Sequence, residues 1–527
     1  MSYERTITSN GKKYRQLVES VWDKEKKRSR VHVIKHLGRV IEKDGKETVV
    51  NAQSRFDSVD MAYPVGKIAV FWSLSREFHV MESLSGSIGE DYATAILILV
   101  FNQLTGRRSL TRIGEWIRHS PLHRWLNLDA EKLTKDYFLS ALDKISADSG
   151  EKRTTRAPMI QHSIADEWKK IAGYGDARYF FYQDITRIRW NGCENEIAER
   201  GYGSQVGRPH IGFGLLVSRD HYFPLSGYTV RGSRPDKVTV RESVDNLSRL
   251  DVRNIVLVWD RGFDSRANID YALSGGFHVI SGGTRTSLEV MQWLSKYDDS
   301  GIEKRENVYR ISDSRGIYFT DETGDLYGHR CRIVVIMDPE RRNRTRMERD
   351  MAIQSLQGRV PAKARSDIIS SLGGIVKPSR GRRGFIIDRD EEIKARKLDG
   401  RSLIFSTDPA ITGREIINTY FQKDRVEKAF RHLKGDACLS PVRYQLPGRV
   451  DAYLSVVSFI AYEFIAAVKW KLDSNRAGIT YEDLMNKLSE IQEVALLSRG
   501  SRIFRWTAIP KETEKMVKPF GILSLRT

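Results

Sequence analysis

Three acidic residues lie in separated segments whose composition suits a metal ion. Asp184 lies in the run YFFYQDITRI, Asp260 directly follows the apolar run NIVLVW, and Glu427 lies in a helical pattern. Carboxylate oxygens are the hard ligands that Mg²⁺ takes, with waters and substrate phosphates completing its shell. The three positions therefore predict a metal site built from residues that are distant along the chain.

The segment around Glu427 has the most pronounced pattern. Tyr420, Lys423, Glu427, Phe430 and Lys434 follow one another at intervals of three or four residues, the spacing of side chains on one helical face. A carboxylate between two lysines suits a divalent ion and a phosphate. The alternative for Lys423 is an ion pair with Glu427 one turn away, worth a few tenths of a kcal/mol.

The two aspartates require strands, and the glutamate requires a helix packed on those strands. The runs RYFFYQDITRI, HIGFGLLVS, YFPLSGYTV and NIVLVWD are apolar, β-branched and aromatic, which predicts strands. Metal ligands cluster at strand ends because rigid backbone aims them. The helix that carries Glu427 is predicted to begin at a capping box formed by Thr412 and Glu415.

The chain is predicted to contain four regions. Residues 1–60 alternate basic and apolar positions and predict strands with a turn at Lys43–Lys46, and residues 61–170 predict helices. The basic residues of both regions either contact DNA or belong to an ordinary solvated surface. Residues 171–475 form the predicted catalytic domain, and residues 476–527 form a C-terminal region.

The regular succession of strand-like runs in this domain stops between about residue 288 and residue 400. This stretch contains strand-like runs such as HRCRIVVIMD, a charged helical run and a basic Gly/Pro loop. We expect it to form a β-rich insertion that lies outside the main sheet.

Bulk composition favours a nucleic-acid partner. The 527-residue chain has a formal net charge of +19 and a pI of about 9.6, a positive field that suits nucleic acid. A basic enzyme with a merely soluble surface is the alternative. The three cysteines form no CxxC pair, which argues against a disulfide framework and a cysteine zinc site and suits a reducing cytoplasm.

Membrane segments are not predicted. The charged start of the chain lacks the apolar core of a secretory signal. The most apolar stretch, Ala452 to Val468, is short for a membrane span and contains Glu463. We therefore expect a buried helix there.

The same segments resemble DDE transposases of the insertion-sequence-four superfamily. That family has a Tyr-x2-Arg-x3-Glu-x6-Lys signature, which reads here as Tyr420, Lys423, Glu427 and Lys434. Lysine replaces the arginine of the signature and loses its bidentate fork. This departure concerns the details of phosphate contact rather than the class of reaction.

Two further stretches carry the resemblance, which covers residues of roughly 175 to 470. Asp260, Gly262 and Phe263 match an Asp-x-Gly-Phe/Tyr signature. The run YFFYQDITRI is similar to the segment that carries the first aspartate in the family, which here is Asp184.

The resemblance implies a ribonuclease-H-like mixed sheet flanked by helices, with a β-rich insertion between the second aspartate and the glutamate. It implies that Asp184, Asp260 and Glu427 are catalytic and hold Mg²⁺ or Mn²⁺ as two ions. Phosphate-binding roles are then expected for a basic and aromatic set: Tyr420, Lys423, Lys434 and Arg261. In some relatives a tryptophan of the insertion holds a flipped base, for which Trp293 is the candidate and buried packing the alternative.

The resulting hypothesis is a DNA transposase of a bacterial or archaeal cytoplasm, associated with the nucleoid. It would bind the terminal inverted repeats of its element on double-stranded DNA, cleave there and join the 3′ ends to target DNA. Pairing of two ends implies a homodimer. The alternatives are a metal-dependent endonuclease of the same fold without strand transfer, and a DNA-binding protein whose catalytic site has decayed.

Overall fold

The structure is a computed structural model that describes residues 2–23, 28–43, 46–50, 58–129, 131–149, 152–172, 178–200, 207–248, 254–357, 361–379, 385–498 and 501–526. The chain divides into two compact units. The smaller contains Met1–Val70, Glu115–Ala130 and Glu482–Thr527, and the larger contains Phe71–Gly114 and Glu131–Tyr481. The three acids lie in the larger unit. The four-region boundaries stay a prediction.

Strands and helices are numbered separately in chain order. The strands are β1 (Ser2–Ser9), β2 (Lys12–Asp23), β3 (Arg28–Lys43), β4 (Lys46–Val50), β5 (Ser58–Pro64), β6 (Ser146–Ser149), β7 (Lys152–Thr155), β8 (Tyr179–Arg189), β9 (His210–Ser218), β10 (Pro224–Val230), β11 (Ile255–Trp259), β12 (His278–Gly282), β13 (Val308–Arg310), β14 (Gly316–Leu326), β15 (His329–Met337), β16 (Val376–Pro378), β17 (Phe385–Ile387), β18 (Arg401–Ser406), β19 (Gln492–Ser498) and β20 (Ser501–Trp506). The α-helices are α1 (Gly66–Glu77), α2 (Val80–Ile88), α3 (Glu90–Leu104), α4 (Ile113–Arg118), α5 (Leu122–Trp125), α6 (Lys135–Ile145), α7 (Ala157–Ala172), α8 (Val240–Ser248), α9 (Arg266–Ser274), α10 (Leu288–Ser295), α11 (Asp299–Ile302), α12 (Pro339–Ser355), α13 (Ala362–Ser371), α14 (Arg389–Leu398), α15 (Gly413–Phe421), α16 (Asp424–Lys434), α17 (Pro447–Ala452), α18 (Phe459–Ser474), α19 (Tyr481–Ser489) and α20 (Lys511–Val517).

The smaller unit contains two antiparallel sheets. Strands β1 to β4 pair in sequence order, which confirms the predicted N-terminal strands. Lys43 pairs with Lys46 as the predicted turn requires, but Asp44 and Gly45 lie outside the described residues. The second sheet has the order β20-β19-β5, and its buried Glu493 accepts hydrogen bonds from Tyr63 and Trp506.

The larger unit is built on a mixed sheet. Among the described strands, nine follow the order β10-β9-β8-β11-β12-β18-β15-β14-β13. β9 is antiparallel to β8 and β10, whereas β11 is parallel to β8 and β12. These first five strands have the ribonuclease-H-like arrangement that the resemblance implied. The sheet brings the end of β11 beside the middle of β8 because the two strands are parallel neighbours.

The expectation that residues 288 to 400 lie outside the main sheet is wrong for β13, β14 and β15, and it is confirmed for β16 and β17. β15 pairs with β18 from Arg332 to Met337, and β14 and β13 extend the sheet beyond it. The apolar run Ile333–Met337 is buried, as expected for a strand with neighbours on both sides. Helices α12 to α14 and the β16-β17 hairpin do have a small core of their own, centred on Leu356 and Ile375.

Two of the predicted helical stretches form helices, in residues 61–170 and near the C-terminus. Helix α3 is buried along most of its length, and the apolar stretch near the C-terminus forms α17, a π-helical segment (Tyr453–Ser458) and α18. The whole helix, Pro447–Ser474, is long and apolar enough to cross a membrane, and its most apolar window is fully buried in the protein. This agrees with the predicted buried helix. Burial raises the pKa of Glu463 well above its ordinary value.

Candidate active site

The two aspartates lie at the same level on neighbouring strands, Asp184 within β8 and Asp260 directly after β11. The expectation that both acids lie at strand ends is therefore wrong for Asp184. In the parallel register of β8 and β11, Tyr182 is opposite Val258, so Asp184 and Asp260 each lie two residues beyond that pair. Parallel neighbours are about 4.8 Å apart. The backbone therefore places the first two predicted acids close together on adjacent interior strands of the sheet.

The helix predicted to carry Tyr420 through Lys434 is interrupted. Helix α15 ends at Phe421, Gln422 and Lys423 form a tight turn, and α16 begins at Asp424. The prediction that the five spaced residues share one face of a single helix is therefore wrong. Tyr420 is turned inward and is 6% exposed, whereas Glu427 lies at the surface.

The start of α15 agrees with the capping box in its first half. The hydroxyl of Thr412 accepts a hydrogen bond from the backbone N–H of Glu415 at 3.3 Å. The carboxylate of Glu415 pairs with Arg219 at 3.5 Å. This cap fixes the start of the helix that leads to the site.

Glu427 reaches the site because α16 packs on the sheet. The helix contacts β8 and β9, with Val426, Ala429, Phe430 and Leu433 buried. Glu427 and Lys434 lie on the exposed side of the same helix. Electrostatic repulsion from Glu427 contributes to raising the pKa of Asp184. The structure thus brings the third acid near the first two.

Asp260 has a dense shell of donors. Its Oδ1 accepts from the Lys423 ammonium at 2.7 Å, from the Arg261 backbone N–H at 2.8 Å and from the Tyr420 hydroxyl at 3.4 Å. Partial burial opposes ionisation, but Lys423 and these hydrogen bonds lower the pKa of Asp260 below its ordinary value. Lys423 therefore pairs with Asp260, which corrects the alternative of an ion pair with Glu427.

Asp184 is poorly compensated. One hydrogen bond reaches its carboxyl, from the Ile185 backbone N–H at 2.8 Å. Burial, followed by repulsion from Asp236, Glu427 and Asp260, raises the pKa of Asp184 to about 7.

Lys434 feels Asp184 electrostatically. Burial lowers the pKa of Lys434, and the attraction of Asp184 partly offsets that effect. Lys434 therefore lies on the Asp184 side of the site, while Lys423 lies on the Asp260 side.

Tyr420 and Arg261 are packed against a glycine at the end of β12. A methyl group at Gly282 would lie 2.5 Å from the Tyr420 hydroxyl oxygen and 2.9 Å from Cγ of Arg261. Only glycine leaves room for both side chains. Burial raises the pKa of Tyr420, so its hydroxyl is a hydrogen-bond donor at neutral pH.

Two residues of the neighbourhood were missed by sequence reasoning. Burial, together with the positive charges of Arg341 and Arg261, lowers the pKa of Arg285, which marks a concentration of positive charge beside the site. Arg285 follows β12 in the run GGTR, so polar residues after a third strand end were a usable signal. Asp236, which pairs with Arg187 at 2.7 Å, begins a short 3-10 helix (Asp236–Thr239) that has no distinctive sequence pattern.

Trp293 is engaged in packing. Its ring lies against Gly324, where a methyl group would come within 2.3 Å of it, and its Nε1 donates to the Asp325 carbonyl at 3.2 Å. The Lys296 ammonium lies 4.5 Å from the ring centre. These contacts agree with the packing alternative.

The donor set fits a hard divalent cation. Three carboxylates gather at one edge, and two of them add to the charge repulsion at Asp184. As a set, their oxygens do not all come within 4.8 Å of one another in the described part of the chain. Instead, the ammonium of Lys423 provides the positive charge next to Asp260. The three acids are suited to Mg²⁺ or Mn²⁺, which take oxygen ligands.

Comparisons with known proteins find a structural likeness to a solved transposase complex. No protein-family model matches the sequence, and no curated protein matches it. A solved structure of the piggyBac transposase synaptic complex with hairpin DNA aligns with 90% of this chain and 82% of that chain, at 10% identity and a TM-score of 0.37. A likeness of this degree carries no argument about chemistry, which rests on the residues themselves.

Proposed function

We propose that this chain is a DNA transposase that cleaves DNA at the ends of its element and joins the freed 3′ ends to target DNA. The observation that carries the proposal is the convergence of Asp184, Asp260 and Glu427 near the end of β11. Lysines and arginines lie beside these acids. The three sequence signatures also lead us to propose membership of the insertion-sequence-four superfamily, acting in the cytoplasm of a bacterium or archaeon.

The three acids would hold the metal ions of the reaction. When bound, Mg²⁺ or Mn²⁺ would supply Lewis-acid activation of a water or 3′-hydroxyl and stabilise the leaving oxygen. Asp260 is ionised for this task at neutral pH. Asp184 is half protonated near pH 7 and has to release its proton before it can act as a ligand.

The basic residues would position the DNA backbone. Lys423 neutralises Asp260 in the free protein and lies where a phosphate oxygen would approach. Arg261 and Lys434 border the acids on opposite sides, and the Tyr420 hydroxyl offers a further donor. Phosphate contacts of this kind supply most of the affinity of proteins for DNA and weaken with salt.

Replacement of Glu427 tests the assignment. We expect Glu427→Ala to abolish Mg²⁺-dependent strand cleavage, because the third ligand is lost, and to leave binding of element-end DNA nearly unchanged. Asp424→Ala is the matched control, since it removes an exposed acid of the same helix that pairs with Lys428. Full cleavage by Glu427→Ala would refute the assignment.

Product analysis separates transposition from simple cutting. A plasmid assay with the wild-type chain should give joined strand-transfer products, whereas an endonuclease would give only cuts. Intact DNA binding without any metal-dependent cleavage would favour a decayed site. The proposed homodimer predicts a complex of two chains with two DNA ends, and a single chain bridging both ends in a sizing experiment would contradict it.

A further inference from the structure

A basic cavity of about 510 Å³ lies in the larger unit. The loop after α3 (residues 106–111) forms one wall, and the segment that follows α16 (residues 438–445) forms another. This second segment begins four residues after Lys434. The cavity is thus a separate space whose wall is connected directly to the helix that carries Glu427.

The charge of the lining is entirely positive. Its ionisable groups other than tyrosine and cysteine are five cations and no carboxylate: Arg107, Arg108, Lys135, Arg443 and Arg449. Asp143, which is not in the lining, neutralises Arg449 through a bidentate ion pair at 2.7 and 2.8 Å. In the described part of the chain, Lys135 and Arg443 have no carboxylate partner.

Two of the arginines are held in place by backbone carbonyls. Arg107 donates to the carbonyls of Cys438 and Leu439 at 2.8 and 3.2 Å, and Arg108 donates to that of Thr105 at 3.1 Å. Carbonyls orient a guanidinium but leave its charge in place. Burial lowers the pKa of Arg108, which shows the cost of keeping this cation partly away from water. An anion in the cavity would offset that cost.

Aromatic rings form part of the same lining. The rings of Tyr444 and Tyr453 lie 4.9 Å apart, and the guanidinium of Arg107 lies 5.2 Å from the centre of the Tyr453 ring. Trp190 fixes the Tyr444 backbone by donating to its carbonyl at 2.8 Å. Cations together with aromatic faces suit a ligand that has both phosphates and a flat ring. The volume is also in the range of small-ligand sites.

We propose that this cavity binds a nucleotide, with Lys135, Arg108 and Arg443 on its phosphates and Tyr444 against its base. The nucleotide is either a free nucleoside phosphate or one residue of a DNA strand, since both present the same chemistry. The inference rests on the proposed function, because a DNA-processing chain meets nucleotides as substrate. Its test requires no cleavage and does not depend on the three acids.

The experiment uses the full chain with Glu427→Gln, so that DNA stays intact. Deoxyadenosine diphosphate is titrated calorimetrically in one arm. In the other, a DNA strand substituted with 5-iodouracil is photo-cross-linked and the modified residue is identified by mass spectrometry. We expect saturable diphosphate binding, a cross-link at Tyr444, or both. The arm that responds identifies the source of the nucleotide.

The double variant Lys135→Ala/Arg443→Ala removes two exposed lining cations. It should weaken diphosphate binding or the cross-link about tenfold or more. The control double variant Arg112→Ala/Lys132→Ala removes the same charge from exposed positions outside the lining and should change either signal less than twofold.

Three results would overturn the inference: no signal in either arm, equal losses in the two double variants, or pyrophosphate binding as tightly as the nucleotide. The last result would show that no base is recognised. If the wild-type chain does not cleave DNA, the proposed function is refuted but nucleotide binding to the cavity is unaffected. The two failures are therefore distinguishable.

Discussion

Asp184, within β8, and Asp260, just after β11, lie at the same level on neighbouring parallel strands, yet their surroundings act on them in opposite directions. Asp260 is exposed and accepts from an ammonium, a backbone N–H and a hydroxyl, which lower its pKa. Asp184 is less exposed and accepts from one backbone N–H, and its pKa is raised to about 7. Asp260 is therefore ionised before a cation binds, whereas Asp184 depends on a bound cation to stay ionised.

The largest expected effect is the loss of DNA cleavage when either of the two proposed metal ligands is replaced. Asp184→Asn and Asp260→Asn should each lower Mg²⁺-dependent DNA cleavage by about 10³-fold or more, because an amide is a far weaker ligand for a divalent ion than a carboxylate. Single-turnover cleavage of end DNA measures this. The exposed Asp313→Asn is a control that should leave the rate unchanged. Activity retained by either site variant would remove that aspartate from the metal site.

The next effect concerns how the acids differ in stability. The folded pKa of Asp184, about 7, lies above its ordinary value of 3.8, so folded chains hold a proton that unfolded chains have lost. The contribution of Asp184 to metal-free stability should therefore fall as pH rises from about 4 to about 7 and stay level above that. At pH 8, Asp184→Asn should stabilise the chain by roughly 2–4 kcal/mol.

Asp260→Asn should act in the other direction, because it removes the partner of Lys423, at a cost of up to about 1 kcal/mol. Urea unfolding in chelator at pH 5 and pH 8 compares both variants with wild type. If the two variants shift the unfolding midpoint equally at pH 8, the electrostatic contrast between the acids is refuted.

A smaller effect is expected in the pH dependence of metal use. Protons compete with the metal at Asp184 below its pKa of about 7, whereas Asp260 is already ionised there. The Mg²⁺ concentration for half-maximal cleavage should therefore rise by about tenfold for each pH unit below 7. Metal titrations at pH 6, 7 and 8 check this. A flat dependence between pH 6 and 7 would show that Asp184 is ionised without metal.

The smallest expected effect concerns the residues packed beside Asp260. Gly282→Ala should displace the Tyr420 hydroxyl and Arg261, because the added methyl group would lie 2.5 Å from the hydroxyl oxygen. We expect cleavage to slow about three- to tenfold, by the loss of roughly 1 kcal/mol of positioning contacts. Gly262→Ala is the control, since a methyl group there meets nothing within 4 Å. Equal rates for the two variants would contradict the packing role of Gly282.

The strand end before Asp260 and the packed helix were predictable from the sequence because they depend on local patterns, whereas the continuation of β8 beyond Asp184 to Arg189 was not predicted. Asp260 follows an uninterrupted apolar run, and Glu427 lies in a spaced motif. The turn at Gln422 and Lys423 was not predictable, since no proline or glycine marks it and the helical spacing continues through it. That turn explains why Lys423 meets Asp260 rather than Glu427.

The electrostatics of Asp184 were also beyond the sequence. Its raised pKa comes from burial and from acids on three other segments, Asp236, Glu427 and Asp260, whose proximity only the folded sheet creates. The sheet position of β15 could have been predicted, because its run of five buried apolar residues is typical of a central strand. The lost rhythm around it, caused by intervening helices, concealed this signal.

The continuous sheet also fixes the distance between Asp260 and the far edge strand, β13. From β11, which carries Asp260 at its end, five strand-to-strand steps lead through β12, β18, β15 and β14 to β13. At about 4.8 Å a step the far edge lies roughly 24 Å away, or about seven base pairs of duplex DNA. Hydrogen-bonded strands resist stretching along this direction. The β13 edge therefore stays at a fixed distance from Asp260.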